Sequence, residues 1–224
     1  VHHLVRGFVQ DVVAAVDLPD PVVEFGALQV EADQDADLRR LFAGRPYLGT
    51  DMRPGPGVDR IEDLRRLGFA DSAVGTAICV ETLEHCADPV TACRELARVV
   101  ADPGVAIVSA PMLLGIHAYP EDYFRFTPAA MREMLGAFEH VSVSGVGDPA
   151  MPHWVLAIAT RGVALELEVD QLPSVRAAQQ RFNRASGRFR VGPLLLEPGE
   201  VAAAVLRQLP RVLADRVLAH RRGR

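Results

Sequence analysis

Apolar residues recur at helical spacing from the start of the chain, at Leu4, Val5, Phe8, Val12 and Val16, until Leu18-Pro-Asp-Pro21 stops the pattern. A leading amphipathic helix is expected there. Val22-Val-Glu-Phe25 is a short, mostly apolar run that ends in Gly26, which suits a buried parallel strand entering a tight turn. Leu38, Leu41 and Phe42 continue as a helix closed by Gly44. Tyr47-Leu-Gly-Thr50 reads as a second strand ending at Asp51, the stretch Arg53-Pro-Gly-Pro-Gly57 as a loop, and Val58 to Ile61 as a short third strand.

Thr76-Ala-Ile-Cys-Val80 is the fourth apolar run. Asp88-Pro89 then supplies an N-cap and a first-turn proline for a helix carrying Val90, Cys93, Leu96, Ala97 and Val100, which Asp102-Pro-Gly104 should end. Val105 to Ser109 is a fifth strand, and Thr127-Pro128 opens a helix through Met131, Met134 and Leu135. Val141 to Val146 and Trp154 to Thr160 complete the set of strands. Strands that alternate with helices at this spacing predict an α/β, Rossmann-like fold. Its sheet has seven mostly parallel strands with helices on both faces, and its final strand is antiparallel because the last connection is too short for a crossover. Residues 1–161 form that domain in this reading. Residues 162–224, where Val201, Val205, Leu209, Val212, Leu213, Val217 and Leu218 suggest helices broken near Pro210, are an appended, mainly helical segment.

Composition narrows the function. A length of 224 residues suits one α/β domain with a modest extension. A net charge of -5 and a pI near 5.8 leave no basic field to hold a polyphosphate backbone, so nucleic acid is not an expected partner. Arg216, His220, Arg221, Arg222 and Arg224 read as a solvated tail. All basic residues other than histidine are arginine, which reflects compositional bias. Cys79, Cys86 and Cys93 form no CxxC pair and suit reduced thiols. No signal-peptide core or membrane-spanning run appears, and the expected setting is the cytoplasm, as a monomer or homodimer.

In open α/β sheets, ligands bind beyond the carboxyl ends of the strands, near the point where strand order reverses. The first strand here ends in Glu24-Phe-Gly-Ala-Leu-Gln29, the second in Asp51, the third leads to Asp63-Leu64, and the fourth ends in Glu81-Thr-Leu-Glu-His85. Four successive strand ends therefore carry carboxylates. One at the end of a second strand, about 25 residues after a glycine turn, can accept both hydroxyl protons of a ribose.

The stretch from Asp63-Leu-Arg-Arg-Leu-Gly-Phe-Ala-Asp-Ser-Ala-Val74 through a strand to Leu83-Glu-His-Cys-Ala-Asp-Pro89 resembles the class I S-adenosylmethionine-dependent methyltransferases of the type 11 kind, over roughly residues 20–160. The resemblance implies S-adenosylmethionine as cofactor and S-adenosylhomocysteine as product. It places Glu24, Gly26 and Ala27 along the methionine part, Asp51 on the ribose, Asp63 at the adenine amine, Leu64 with its backbone N–H toward the base, Met52 against the ring and Glu81 beside the methionine moiety. This chain differs in having Ala27, Leu28 and Gln29 after a single Gly26, where the family has two or three glycines. A sulfonium ligand has no pyrophosphate and tolerates fewer glycines, and the absence of a G-x-G-x-x-G turn argues against a nicotinamide-dependent reductase.

A second cluster, His117-Ala-Tyr-Pro-Glu-Asp-Tyr-Phe-Arg-Phe-Thr-Pro128, lies where that family places acceptor-binding residues. Tyr119, Asp122, Tyr123 and Arg125 are its substrate-binding candidates, although Asp122 paired with Arg125 would serve the loop alone. For a hydroxyl acceptor, His117 is the first candidate base and His85 the second. The scattered histidines show no HxxxH or cysteine partner, so no metal site is expected. The main reading is methyl transfer to a small-molecule acceptor, most naturally an oxygen. The alternative is a degenerate member that binds the nucleoside as a regulatory partner without turnover.

Overall fold

The computed structural model of the protein describes residues 2–29, 37–117, 121–166, 168–185, 189–191 and 194–196. The chain divides into two compact units, Val1–Gln179 and Gln180–Arg224. In the first, helix α1 (His3–Ala15) precedes β1 (Val22–Phe25), β2 (Tyr47–Asp51), β3 (Arg60–Ile61) and β4 (Val74–Val80). Then come α2 (Pro89–Val99), β5 (Val100–Pro111), α3 (Pro128–Met134), β6 (His140–Gly147) and β7 (Pro152–Arg161). Helix α4 (Pro173–Ala185) begins in this unit, and the hairpin of β8 (Phe189–Val191) and β9 (Leu194–Leu196) lies in the second.

The strand order is β3-β2-β1-β4-β5-β7-β6, with every pair parallel except those of β7, which runs antiparallel to both β5 and β6. That is the Rossmann-like sheet the alternation of elements predicted. The chain leaves β1 toward β2 on one side and returns as β4 on the other, so a crevice opens beyond the carboxyl end of β1.

Each face of the sheet has its own apolar layer. Val23, Phe25, Cys79 and Val108 pack under Ala92, Cys93 and Leu96 of α2 and Met131 of α3. Val22, Ile78, Ile107 and Ile158 pack under Leu4, Val5, Phe8 and Val12 of α1. The second layer also takes in Val169, Leu172 and Val175, so the first unit continues past Arg161. Burying each such aliphatic or aromatic side chain contributes roughly 1.5–3 kcal/mol.

Local signals set most element ends. Asp88 accepts from Thr91 N at 3.0 Å with Pro89 in the first turn of α2, and Thr127 caps α3 by accepting from Ala130 N at 3.1 Å. Two elements differ from expectation. Leu38–Phe42 is a 3-10 helix, its start set by the Asp37 carboxylate accepting from Arg39 N at 3.1 Å. Helix α2 stops at Val99, before Asp102-Pro-Gly104, and those residues lie within β5. There the register between Val74 and Thr76 of β4 shifts, and Gly104 pairs with Arg161 across β7. The terminal helices expected around Pro210 lie outside the described residues.

Candidate functional site

A cavity of about 540 Å³ sits at the carboxyl ends of β1, β2, β3 and β4, within the size range of small-molecule sites. Its floor is the turn after β1. Gly26 N and Ala27 N donate to Thr50 O at 2.8 and 2.9 Å, and Gln29 N donates to Pro56 O at 2.9 Å. Gly26 has φ +88°, the left-handed region that glycine tolerates best. A Cβ there would lie 2.9 Å from Thr82 Cβ and closer still to its hydroxyl. Thr82 Oγ1 in turn donates to Val80 O at 2.9 Å or Phe25 O at 3.2 Å, joining the ends of β4 and β1. The missing glycines are therefore replaced by packing. Leu28 lies against Gly55 of the Pro-Gly loop, and Gly57 approaches the Ala27 carbonyl too closely to carry a side chain.

The carboxylates expected at the strand ends all line this cavity: Glu24, Asp51, Asp63 and Glu81, together with Gly26, Ala27, Met52 and Leu64. Asp51 Oδ1 accepts from Arg53 N at 2.9 Å, which fixes the turn out of β2 and leaves its second oxygen for other partners. Met52, 50% exposed, offers an apolar surface beside it. Asp63 is gripped by Arg65, with Nη2 to Oδ2 at 2.6 Å and Nε to Oδ1 at 3.0 Å, and this ion pair holds its carboxyl below the usual range. The irregular segment that presents Asp63 is tied to α2 by Arg98, which donates to Phe69 O at 2.9 Å, to Leu67 O at 3.0 Å and to Asp71 at 2.8 Å.

Glu24 is buried, and that burial pushes its carboxyl up to about 7 even though Tyr47 donates a hydrogen bond to it. Glu81 sits at φ +49°, held by His2 N at 3.0 Å and by Trp154 Nε1 at 3.2 Å. The His2 ring stacks on Trp154 at 4.2 Å and lines the cavity. Six carboxylates, Glu24, Asp51, Glu62, Asp63, Glu81 and Glu84, face the cavity against the two guanidinium groups of Arg53 and Arg65. Burial pushes Glu24 and Glu84 toward their neutral forms, and the other four acidic residues still outnumber the two guanidinium groups, which gives a field that attracts a cationic ligand.

The second cluster is divided. His117 and Tyr123 line the cavity, beside His85 and Leu114 from outside the cluster, whereas Asp122 and Arg125 do not. Arg125 Nη2 donates to Asp122 Oδ2 at 2.7 Å, and this pairing drives the Asp122 carboxyl far below its ordinary value. Asp122 also accepts from His117 N at 2.8 Å, and Arg125 reaches Leu114 O at 3.2 Å and Gly115 O at 3.0 Å, so the pair braces residues 114–117. Tyr123 N donates to Glu84 O at 2.8 Å, docking the loop on the 3-10 turn Leu83–His85. Tyr119 lies outside the described residues.

Four contributors escaped the sequence reading: Tyr47, Thr82, Glu84 and the His2–Trp154 stack. Thr82 and Glu84 stood within the strand-end motif already singled out, and the hydroxyl next to Glu81 was the available signal. Glu84 is 1% exposed and its carboxyl is raised by burial to about 8. A charged residue on a short turn is ordinarily solvent-facing, so its type gave no sign that Glu84 would be buried with its neighbours Leu83 and Cys86.

Residues 12–108 match the family model described as "Methyltransferase domain". No curated protein matches the sequence. Among solved structures, a chain of the complex between the Haloferax volcanii Trm112 methyltransferase activator and a methyltransferase aligns with a TM-score of 0.52 at 17% identity, covering 72% of this chain and 91% of that one. The 1,6-didemethyltoxoflavin-N1-methyltransferase of Burkholderia thailandensis, solved with 1,6-didemethyltoxoflavin and S-adenosylhomocysteine, aligns with a TM-score of 0.54 at 16% identity, covering 71% and 78%. No helix among the described residues is long and apolar enough to cross a membrane.

Proposed function

We propose that the chain is a class I S-adenosylmethionine-dependent methyltransferase that methylates a small-molecule acceptor, at oxygen, with the donor held in the cavity beyond β1; the match of residues 12–108 to a methyltransferase-domain model supports this reading. The observation that carries this reading is the convergence of Glu24, Asp51, Asp63 and Glu81 from four different strand ends on one acid-rich cavity. Bound there, S-adenosylmethionine supplies a methyl carbon activated by sulfonium; the acceptor oxygen bonds to that carbon as the C–S bond breaks, and the electron pair stays on sulfur.

Asp51 accepts from the ribose hydroxyls, Asp63 and the Leu64 N–H meet the base, and Met52 covers the ring. Gly26 and Ala27 let the methionine part lie close to the backbone, with Glu24 and Glu81 countering its positive charge. The Gly26, Ala27 and Gln29 amides already donate within the protein, which suits a sulfonium ligand better than a pyrophosphate. Tyr123, and Tyr119, Asp122 and Arg125 with it, shape the acceptor side, and His117, with His85 second, deals with the acceptor's proton. In-line positioning and exclusion of water supply most of the acceleration. Free, buried Cys79, Cys86 and Cys93 support a cytoplasmic setting, as a monomer or homodimer.

Calorimetry with S-adenosylhomocysteine and turnover against an acceptor panel test the proposal. Saturable binding that Asp51→Ala weakens, together with turnover, is expected. Binding without turnover on any acceptor would favour a nucleoside-binding partner protein, a reading that the single glycine of the first turn favours. Failure to bind would overturn both.

A further inference from the structure

Glu84, His85 and His117 each bring one ligand atom to within 4.8 Å of the others at the wall of the cavity. Every one of the three is prepared as a metal ligand is. Glu84 is 1% exposed, and its Oε2 is buried without a hydrogen-bond partner. An oxygen left buried in that state is unfavourable, more so if charged, and a cation would offset the cost. His85 Nδ1 lies 2.6 Å from the Glu121 carbonyl, which can only accept, so the ring proton belongs on Nδ1 and the Nε2 lone pair is free. That Nε2 stands 3.9 Å from Glu84 Oε1. His117 Nδ1 lies 3.2 Å from Gly115 O and 3.3 Å from Asp122 Oδ2, both acceptors, and its Nε2 is freed in the same way. The two rings meet edge to face with centroids 4.9 Å apart. Imidazoles that bind metals habitually give their other N–H to a carbonyl or carboxylate.

We propose that Glu84, His85 and His117 bind one divalent first-row transition ion, of the Zn²⁺ or Mn²⁺ kind, on the acceptor side of the cavity. Two imidazoles and one carboxylate suit such ions better than Mg²⁺ or Ca²⁺, which prefer oxygen alone. Bonds of about 2.0–2.2 Å draw the three atoms closer than they stand here. Rotation of the His117 and His85 side chains about their own bonds is the movement that would close that gap, since the backbone of residues 114–117 is braced by Asp122 and Arg125. Three protein ligands leave a position open toward the cavity. The catalytic consequence rests on the methyl-transfer reading and replaces direct proton transfer to His117 or His85: the ion takes the acceptor oxygen and lowers its pKa, the acceptor proton leaves to water, and the imidazoles act through the ion. Sequence spacing missed the site because Glu84 and His85 are adjacent on a turn and His117 comes from a distant loop.

The full chain, stripped with EDTA, is titrated calorimetrically with Zn²⁺, Mn²⁺ and Ca²⁺, and bound metal is counted by mass spectrometry. One equivalent of Zn²⁺ or Mn²⁺ per chain is expected, with no binding of Ca²⁺ and a loss of roughly 10–100-fold or more in affinity in His117→Ala and in Glu84→Gln. Should the buried Glu84→Gln fail to fold, His117→Ala decides the matter. Uptake that these variants leave unchanged places the ion on other histidines and overturns the proposal, as does no uptake at all. S-adenosylhomocysteine binding to the stripped chain, measured in parallel, separates the two ideas. Donor binding without metal uptake sinks the metal site alone, and metal uptake without donor binding sinks the methyl-transfer reading alone.

Discussion

The side chain of Thr82 occupies the space that a Cβ on Gly26 would need, 2.9 Å from its own Cβ. This relationship couples the end of β4 to the turn after β1, and it makes Gly26 irreplaceable for two separate reasons, its φ of +88° and its neighbour. Gly26→Ala should destabilise the protein by roughly 1–3 kcal/mol in chemical denaturation, as strained backbone does. It should also weaken S-adenosylhomocysteine binding at least ~10-fold. Adding Thr82→Ala removes the two nearest contacts, those of Oγ1 and Cγ2, but leaves the Cβ at 2.9 Å and the φ penalty, so only partial recovery in the double variant is the expected pattern. Full affinity in Gly26→Ala would show that the turn does not line the donor.

Asp51 keeps one carboxylate oxygen on Arg53 N. Its replacement by alanine should cost the donor about 1.5–3 kcal/mol for each charged hydrogen bond lost, or roughly 10–100-fold in Kd. Melting temperature without ligand should change little, since Asp51 is only half-buried. An unchanged Kd by calorimetry would exclude Asp51 from the ribose.

Glu24 makes stability depend on pH with a definite sign. Its carboxyl rises from a reference value of 4.5 to about 7 because burial disfavours the charged form, the Tyr47 hydrogen bond opposing only in part. A raised carboxyl binds its proton more tightly in the folded state. The stabilisation is therefore complete below pH 4.5 and is lost as pH rises through about 7. The total is on the order of 3 kcal/mol at about 1.4 kcal/mol per unit. Glu24→Gln should flatten the difference in unfolding free energy across that window, measured by urea titration at several pH values. Parallel profiles for the two proteins would refute the assignment.

Arg125 holds Asp122 and two loop carbonyls at once. Arg125→Ala should release residues 114–117, seen as faster limited proteolysis there, and should raise the acceptor KM several-fold while S-adenosylhomocysteine affinity stays within about 2-fold, since additivity holds for separated sites. Loss of donor binding in this variant would mean that the loop supports the donor cavity itself.

The seven mostly parallel strands with an antiparallel last one were legible along residues 22–160, and the carboxylate at each of four strand ends along residues 22–81, because most elements there are announced by a local apolar run with a turn signal behind it. Asp88-Pro89 and Thr127-Pro128 marked their helices for the same reason. The 3-10 form of Leu38–Phe42 was not legible, since Leu38, Leu41 and Phe42 fit both helix types. Helix α4 at Pro173–Ala185 was missed because its apolar positions are sparse, with Val175 buried in it.

What the chain's own order of residues determined is the alternation of strands and helices, and with it the crevice beyond β1 and the acids that flank it. Those follow from periodicity and turn chemistry, which act over a few neighbouring residues. Only the tertiary structure decided that Tyr47 donates to Glu24, that Thr82 fills the hollow of Gly26, that Arg125 turns Asp122 inward on its own loop, and that Glu84 is buried beside two imidazoles. Each of these depends on side chains from distant segments meeting in a closely packed interior, where burial and partner choice set charge, reach and reactivity.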